Sequence, residues 1–361
     1  MSKLNELAGI GQAIWFDYIR RSLITSGEMQ ALIDQGVRGV TSNPTIFEKA
    51  IAGSSDYDDD LKDLVKKGTS IDDIYEKLTL WDIAHTADLF RPLYDKTGGL
   101  DGYVSLEVNP ALAYDTEQTI SEARRLFSTL NRPNVMIKVP ATKQGIPAIE
   151  TLIGEGINVN VTLLFSVKFY EDAALAYISG LEKLADRDKE LKNTASVASF
   201  FVSRVDTSVD SALDKINSNE LQGKIAIANA KIAYEIFHRI FSGPRWEPLA
   251  VKGAQMQRLL WASTGTKNAD YSDTLYLDEL IGNHTVNTVP PATLQAYLDH
   301  GKVHAALDEG IDKAHDQIDK IARLGIDLDA ITDKLLKDGV DSFVKSFESL
   351  MSSIRDKSKE F

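Results

Sequence analysis

"GYVSLEVN", residues Gly102–Asn109, alternates strictly. Val104, Leu106 and Val108 fall on one face; Ser105, Glu107 and Asn109 fall on the other. A period of two marks a β-strand with unlike faces. In an antiparallel sheet the polar face would meet water. The surrounding sequence argues for parallel pairing, in which strands are covered on both sides. The polar face of this strand then lies in the interior and needs a reason to be there.

Seven further strand candidates resemble this one in length. They are "AIWFD" from Ala13, "GVRGVTSN" from Gly36, "NVMIKVPA" from Asn134, "INVNVTLLF" from Ile157, "SVASFFVSR" from Ser196, "QRLLWAST" from Gln257 and "HTVNTV" from His284. Amphipathic stretches such as "TEQTISEARRLFSTLN" from Thr116 and "AIANAKIAYEIFHRIF" from Ala226 lie between them. Strands alternating with helices imply right-handed βαβ units and a parallel sheet. Eight units predict a closed (β/α)8 barrel with additional helices, since 361 residues exceed the usual barrel length. A doubly wound open sheet is the alternative. It is weakened because no G-x-G-x-x-G turn follows the first strand.

The bulk numbers restrict the function classes. The chain is 43% hydrophobic and 26% charged, the balance of a folded protein with a large core. A net charge of -13 argues against broad binding to nucleic acid or anionic membranes. An anionic substrate would need local cations to overcome that field. With no cysteine, disulfides, thiolate nucleophiles and thiolate metal sites are excluded. Neither a signal peptide nor an apolar run of membrane-spanning length is found, so a cytoplasmic protein is expected.

Two segments stand apart. Residues 327–357 predict a long helix, with Ile331, Leu335, Val340, Phe343, Phe347, Leu350 and Ile354 near helical spacing. It is expected to pack on the exterior of a single barrel domain spanning 1–361; a lid or a dimer face is the alternative. The acidic run "SSDYDDDLKDL" from Ser54 lacks the glycine and terminal glutamate of a calcium loop. It reads as a solvated helix start, with acids favoured by the helix dipole.

The polar parity seen in residues 102–109 recurs. Asn158, Asn160 and Thr162 alternate with Ile157, Val159, Val161 and Leu163. Lys138 opposes Val135, Ile137 and Val139. Asp17 ends the first strand, Thr41 and Asn43 share a face of the second, Ser199 lies in the sixth and Ser263 in the seventh. Each has a mundane account alone. A strand hydroxyl can bond backbone, Asn43 before Pro44 can be a turn, and Glu107 can pair with Lys138. Together they predict a polar pocket at the C-terminal strand ends, where barrel enzymes build their sites.

A buried lysine there suggests carbonyl chemistry. Burial favours the neutral amine, which can attack a carbonyl and form a Schiff base. The protonated imine is an electron sink for the carbanion left when the adjacent C–C bond breaks. Such a reaction needs a base for the substrate hydroxyl and an acid–base group for imine formation. Asp17 and Glu107 can divide these roles if their environments separate their pKa values. Asn43, Asn160, Thr162 and Ser199 could bond sugar hydroxyls. No cofactor or metal is required, and no clustered carboxylate–histidine motif occurs.

"GVTSNPTIF" from Gly39 and "MIKVPAT" from Met136 resemble the two signatures of the transaldolase family. "NVTLLFS" from Asn160, "SFFVSRVD" from Ser199 and "WASTGTKN" from Trp261 are similar to further family blocks, in the same order. "TVNTVPPATLQAYLDHG" from Thr285 resembles the longer bacterial members, including those fused elsewhere to a phosphoglucose isomerase. The resemblance implies a barrel of the class I aldolase type. It implies transfer of a dihydroxyacetone unit from sedoheptulose 7-phosphate to glyceraldehyde 3-phosphate, giving erythrose 4-phosphate and fructose 6-phosphate, in the non-oxidative pentose phosphate pathway. Carried over by residue, Lys138 is the Schiff-base lysine and Asp17 the base for C–C cleavage. Glu107 is the proton shuttle, through a water held by Thr162. Asn43, Asn160 and Ser199 bind the dihydroxyacetone part, and Thr41 is a further substrate-binding candidate. Arg204 and Ser263 match phosphate ligands. A family arginine two residues after that serine is Gly265 here, and Lys267 is the candidate substitute, with a solvated loop lysine as the alternative. The sequence leaves monomer or homodimer undetermined.

Overall fold

The computed structural model describes residues 2–361. Eight parallel strands close into a barrel in sequence order, with the eighth paired to the first. They are β1 (Gln12–Phe16), β2 (Gly39–Thr41), β3 (Tyr103–Glu107), β4 (Val135–Pro140), β5 (Val159–Leu164), β6 (Ser196–Phe201), β7 (Arg258–Ala262) and β8 (Thr285–Val289). All eight predicted strands are present, and the (β/α)8 fold is the one expected from their alternation with helices. Among the described residues no helix is long and apolar enough to cross a membrane.

The helix Thr116–Leu130 illustrates how the covering layer forms. Asp115 caps it by accepting from Gln118 N, and Asn131 ends it in a left-handed conformation. Ile120, Ala123, Leu126 and Leu130 return at helical spacing and are buried. Each large apolar side chain so covered contributes about 1.5–3 kcal/mol over leaving it exposed.

The N-terminal end of the barrel is plugged. The rings of Trp15 and Tyr103 lie 6.3 Å apart, and Tyr103 Oη donates to Gly99 O at 2.6 Å. A Cβ on Gly39 would come within 2.6 Å of the Trp15 indole, so only glycine fits there. Arg258 pairs with Asp101 at 3.0 Å, both buried. The polar side chains of the interior lie toward the other end, at the strand C-termini.

The long C-terminal helix, Leu328–Ser358, departs from the expected exterior seat. It packs on helix Pro44–Ala52 after β2, on helix Ser203–Lys215 after β6, and on the end of β5. These elements surround the barrel mouth, so the helix lies across that face rather than along the outer wall. Leu163 and Phe165 face it there, beneath Gly339. The acidic run begins helix Asp58–Lys66 as predicted, but it is more than a solvated start. Asp56 accepts two bonds from Arg20, and Asp60 pairs with Arg21. Asp58 accepts from Lys357 Nζ at 3.0 Å, tying the C-terminal helix to the rim.

Candidate active site

Lys138 is 5% exposed, in the second half of β4. Its Nζ donates to the carbonyl of Ser42 at 2.9 Å. Among the described residues no carboxylate oxygen lies within the 4.0 Å ion-pair distance of Nζ. The buried ion pair that sequence left open is therefore not formed.

Two carboxylates flank the lysine. Glu107 is its register partner on β3. Burial pushes the Glu107 carboxyl up to about 7, against the opposing pull of Lys138. Neither Glu107 oxygen has a hydrogen-bond partner, and neither does Thr162 Oγ on β5, the strand on the other side of β4. Buried polar atoms rarely remain unpaired. Asp17 follows β1 and retains some exposure. Burial raises its pKa as well, while Lys138, the Thr41 hydroxyl and Arg204 oppose the rise. Thr41 Oγ donates to Asp17 Oδ1 at 2.6 Å and meets Thr288 Oγ at 2.6 Å. The two acids thus differ: Asp17 is hydrogen-bonded and faces two cations, whereas Glu107 has only Lys138 to offset its burial.

Asn160 sits beside Lys138 in register. Its Nδ2 donates to Ser105 Oγ at 3.0 Å, and its Oδ1 accepts from Ser199 Oγ at 2.7 Å. This chain fixes three hydroxyl or amide groups next to the lysine. Asn43 also has a local role. It caps helix Pro44–Ala52, accepting from Ile46 N at 2.9 Å. The turn reading and the pocket reading of Asn43 meet here, since the cap lies at the end of β2 and follows Ser42.

The phosphate candidates are spread out. Arg204, half-buried at the start of helix Ser203–Lys215, holds its guanidinium 5.4 Å from the Phe201 ring. Ser263 is not a strand residue. β7 ends at Ala262, and Ser263 takes a left-handed φ of 55°. The register places Leu260, not Ser263, beside Ser199. The left-handed turn carries Ser263 out of the strand parity and brings its Oγ 2.9 Å from Ser203 Oγ, beside Arg204. Lys267 is exposed on the following loop and makes no hydrogen bond or ion pair among the described residues.

Sequence reasoning missed Ser105, Thr288 and the Ser42 carbonyl. Ser105 shares its strand parity with Glu107 and was visible as such. Thr288 lies in "HTVNTV" from His284, where polar and apolar residues follow no period of two, and a backbone acceptor leaves no mark in sequence.

The family model for Transaldolase/Fructose-6-phosphate aldolase matches residues 14–354. Transaldolase 2 of Nostoc punctiforme is 47% identical over 99% of this chain and 97% of its own length. The transaldolase of Trichodesmium erythraeum is 47% identical, over 99% of this chain and 98% of its own. That of Acidothermus cellulolyticus is 48% identical, over 97% and 95%. The signatures around Asn43 and Lys138 are thus parts of one similarity that runs the length of the barrel, and the chain belongs to the transaldolase/fructose-6-phosphate aldolase family.

Proposed function

We propose that Lys138 is the nucleophile of a transaldolase reaction on sugar phosphates, with Asp17 and Glu107 as its two proton-transfer groups. The observation that carries this reading is the buried Lys138 amine, docked on a backbone carbonyl and ion-paired to neither neighbouring carboxylate. A lysine locked in a salt bridge would have to break it before attacking. This one gives up a single hydrogen bond.

The reaction divides as follows. Nζ attacks the ketose carbonyl, and the carbinolamine loses water to give the imine. Glu107, near neutrality, can both give and take the protons of that step, acting through a water held by Thr162 Oγ. Asp17 accepts the proton of the substrate hydroxyl as the C–C bond breaks. The bonding electrons pass into the protonated imine, and the aldose leaves. The retained dihydroxyacetone carbanion then adds to an aldehyde acceptor by the reverse steps. Asn160, Ser199, Thr41 and Asn43 hold the hydroxyls of the retained unit. Every step is served by side chains and the imine itself.

Arg204 supplies a half-buried cation for the phosphate, with Ser263 beside it and Lys267 as a second cation on the loop that follows. Its free ammonium supports that role for Lys267. Lys267→Ala is expected to raise KM for phosphorylated substrates roughly tenfold with little change in kcat, the loss of a charge-assisted bond of about 1.5 kcal/mol. An unchanged KM would remove Lys267 from the site. We place the enzyme in the cytoplasm.

An aldolase that releases free dihydroxyacetone shares these groups. Incubation with fructose 6-phosphate, with and without erythrose 4-phosphate, separates the two. Transaldolase turnover needs the acceptor; release of dihydroxyacetone at the same rate without it would favour the aldolase. A sugar-phosphate-binding protein without catalysis would show turnover in neither condition.

A further inference from the structure

β5 carries an irregularity where the site is built. Val161 pairs with Ala198 and Leu164 with Phe200, so Thr162 and Leu163 together oppose Ser199 alone. This is a β-bulge, a device that re-aims side chains next to active sites. On its other edge β5 stays in register, with Pro140 beside Thr162. Leu163 absorbs the extra length with a φ of 59°, a left-handed value rare for a bulky residue. Such a backbone persists only where its surroundings fix it.

The C-terminal helix provides that surrounding. Leu163 is fully buried, and Gly339 of the helix lies directly over it. A Cβ on Gly339 would meet Leu163 Cδ2 at 3.0 Å and Cδ1 at 3.5 Å, with Phe165 at 3.7 Å behind. Glycine is a poor residue inside a helix, so its place here has a packing reason. The helix cannot readily back away. Val340, Phe343 and Leu350 are buried, Thr45 Oγ and Ser346 Oγ are 2.8 Å apart, and Lys357 is held by Asp58. Leu163 must therefore take up any crowding, and Thr162 is the adjoining residue of the same bulge.

We infer that the C-terminal helix positions Thr162, through Gly339 seated on Leu163 at the β5 bulge. Gly339 and Leu163 touch no substrate in this account; they are positioning residues. The inference rests on the reading of Thr162 as the group that holds the water of the Glu107 proton transfer. Its consequence is that a methyl group in the helix, far in sequence from the chemistry, reaches the reaction through two residues.

The test is a double-mutant cycle on the full-length enzyme, read as kcat and KM with fructose 6-phosphate and erythrose 4-phosphate. Gly339→Ala should lower kcat about threefold to tenfold with KM unchanged, since a misplacement of about 1 Å can cost about 10²-fold and one of a few tenths a fraction of that. The same change in a Thr162→Ala background should cost nothing further, because the group it misplaces is already gone. Leu163→Ala loosens the contact from the other side and repeats the cycle if Gly339→Ala does not fold. Equal losses in both backgrounds, or no loss beside native Thr162, would overturn the inference while leaving the site reading intact. Thr162→Ala with undiminished kcat would strike down the site reading, and this inference with it.

Discussion

Replacing Lys138 by alanine is expected to lower kcat roughly 10⁴-fold or more, the scale seen when a covalent nucleophile is removed. Borohydride added with fructose 6-phosphate should attach a stable mass to the native chain at Lys138 and none to the variant. The fold should survive. Nζ makes one hydrogen bond, to Ser42 O, and no carboxylate stands within ion-pair distance. The variant's Tm should therefore lie within about 5 °C of the parent, a loss of one or two kcal/mol in a chain of this size. The loss should be greater at pH 8 than at pH 5. Lys138 is the cation that helps Asp17 and Glu107 ionise, and both are left to bear their charge in a buried place without it. An unfolded variant would support a structural lysine. Native protein with no adduct at Lys138 would end the Schiff-base account.

Glu107→Gln should separate activity from stability. The change removes the proposed proton carrier, so kcat should fall about 10²–10⁴-fold. The limb of the kcat–pH profile near 7 should vanish with it. Stability should move the other way above neutral pH. The folded carboxyl titrates near 7 rather than at the ordinary 4.5, so between these values the folded state holds a proton that the unfolded state has lost. Stability attributable to this group is then complete below pH 4.5 and declines as pH rises through 7. The difference of about 2.5 pKa units corresponds to roughly 3 kcal/mol at pH 8. A glutamine carries no such charge, so the variant should be more stable than the parent by about 1–3 kcal/mol at pH 8 and equal to it at pH 4.5. Thermal unfolding at the two pH values measures this directly. A variant destabilised at pH 8 would show that the carboxylate makes contacts beyond those described.

The barrel and its polar interior were legible because both are written in short-range rhythm. The strand at 102–109 shows it: Ser105 and Glu107 alternate with Val104 and Leu106, and that pattern is the geometry of the pocket wall. Lys138 was legible for the same reason, as the misfit in an apolar strand. What escaped has no rhythm. Ser42 acts through its carbonyl, which any residue possesses. Ser263 breaks the parity through a left-handed turn, and nothing in "WASTGTKN" announces which serine or threonine turns. The C-terminal helix shows its apolar spacing plainly, but spacing reports a buried face and not what lies beneath it. Whether that face meets the wall or the mouth depends on groups distant in sequence, Leu163 and Phe165 among them. The acidic run at 54–64 was read as surface for a similar reason. Its partners Arg20, Arg21 and Lys357 lie in other segments, one of them about 300 residues away.

The seam of the barrel has a consequence for how the protein comes to life. Asp17 N donates to Val289 O at 2.8 Å, and Thr41 bridges the Asp17 carboxylate to Thr288, 247 residues further on. Asp17, the proposed base, therefore takes its final position only when the first strand meets the eighth. Such distant pairings are costly to form and tend to come late in folding. A chain in which β3 to β7 have already assembled would hold Lys138, Glu107, Asn160 and Ser199 in place and still lack a fixed Asp17. During refolding, capture of a ketose by Lys138 should then recover ahead of C–C cleavage, and the interval between the two would time the closing of the ring.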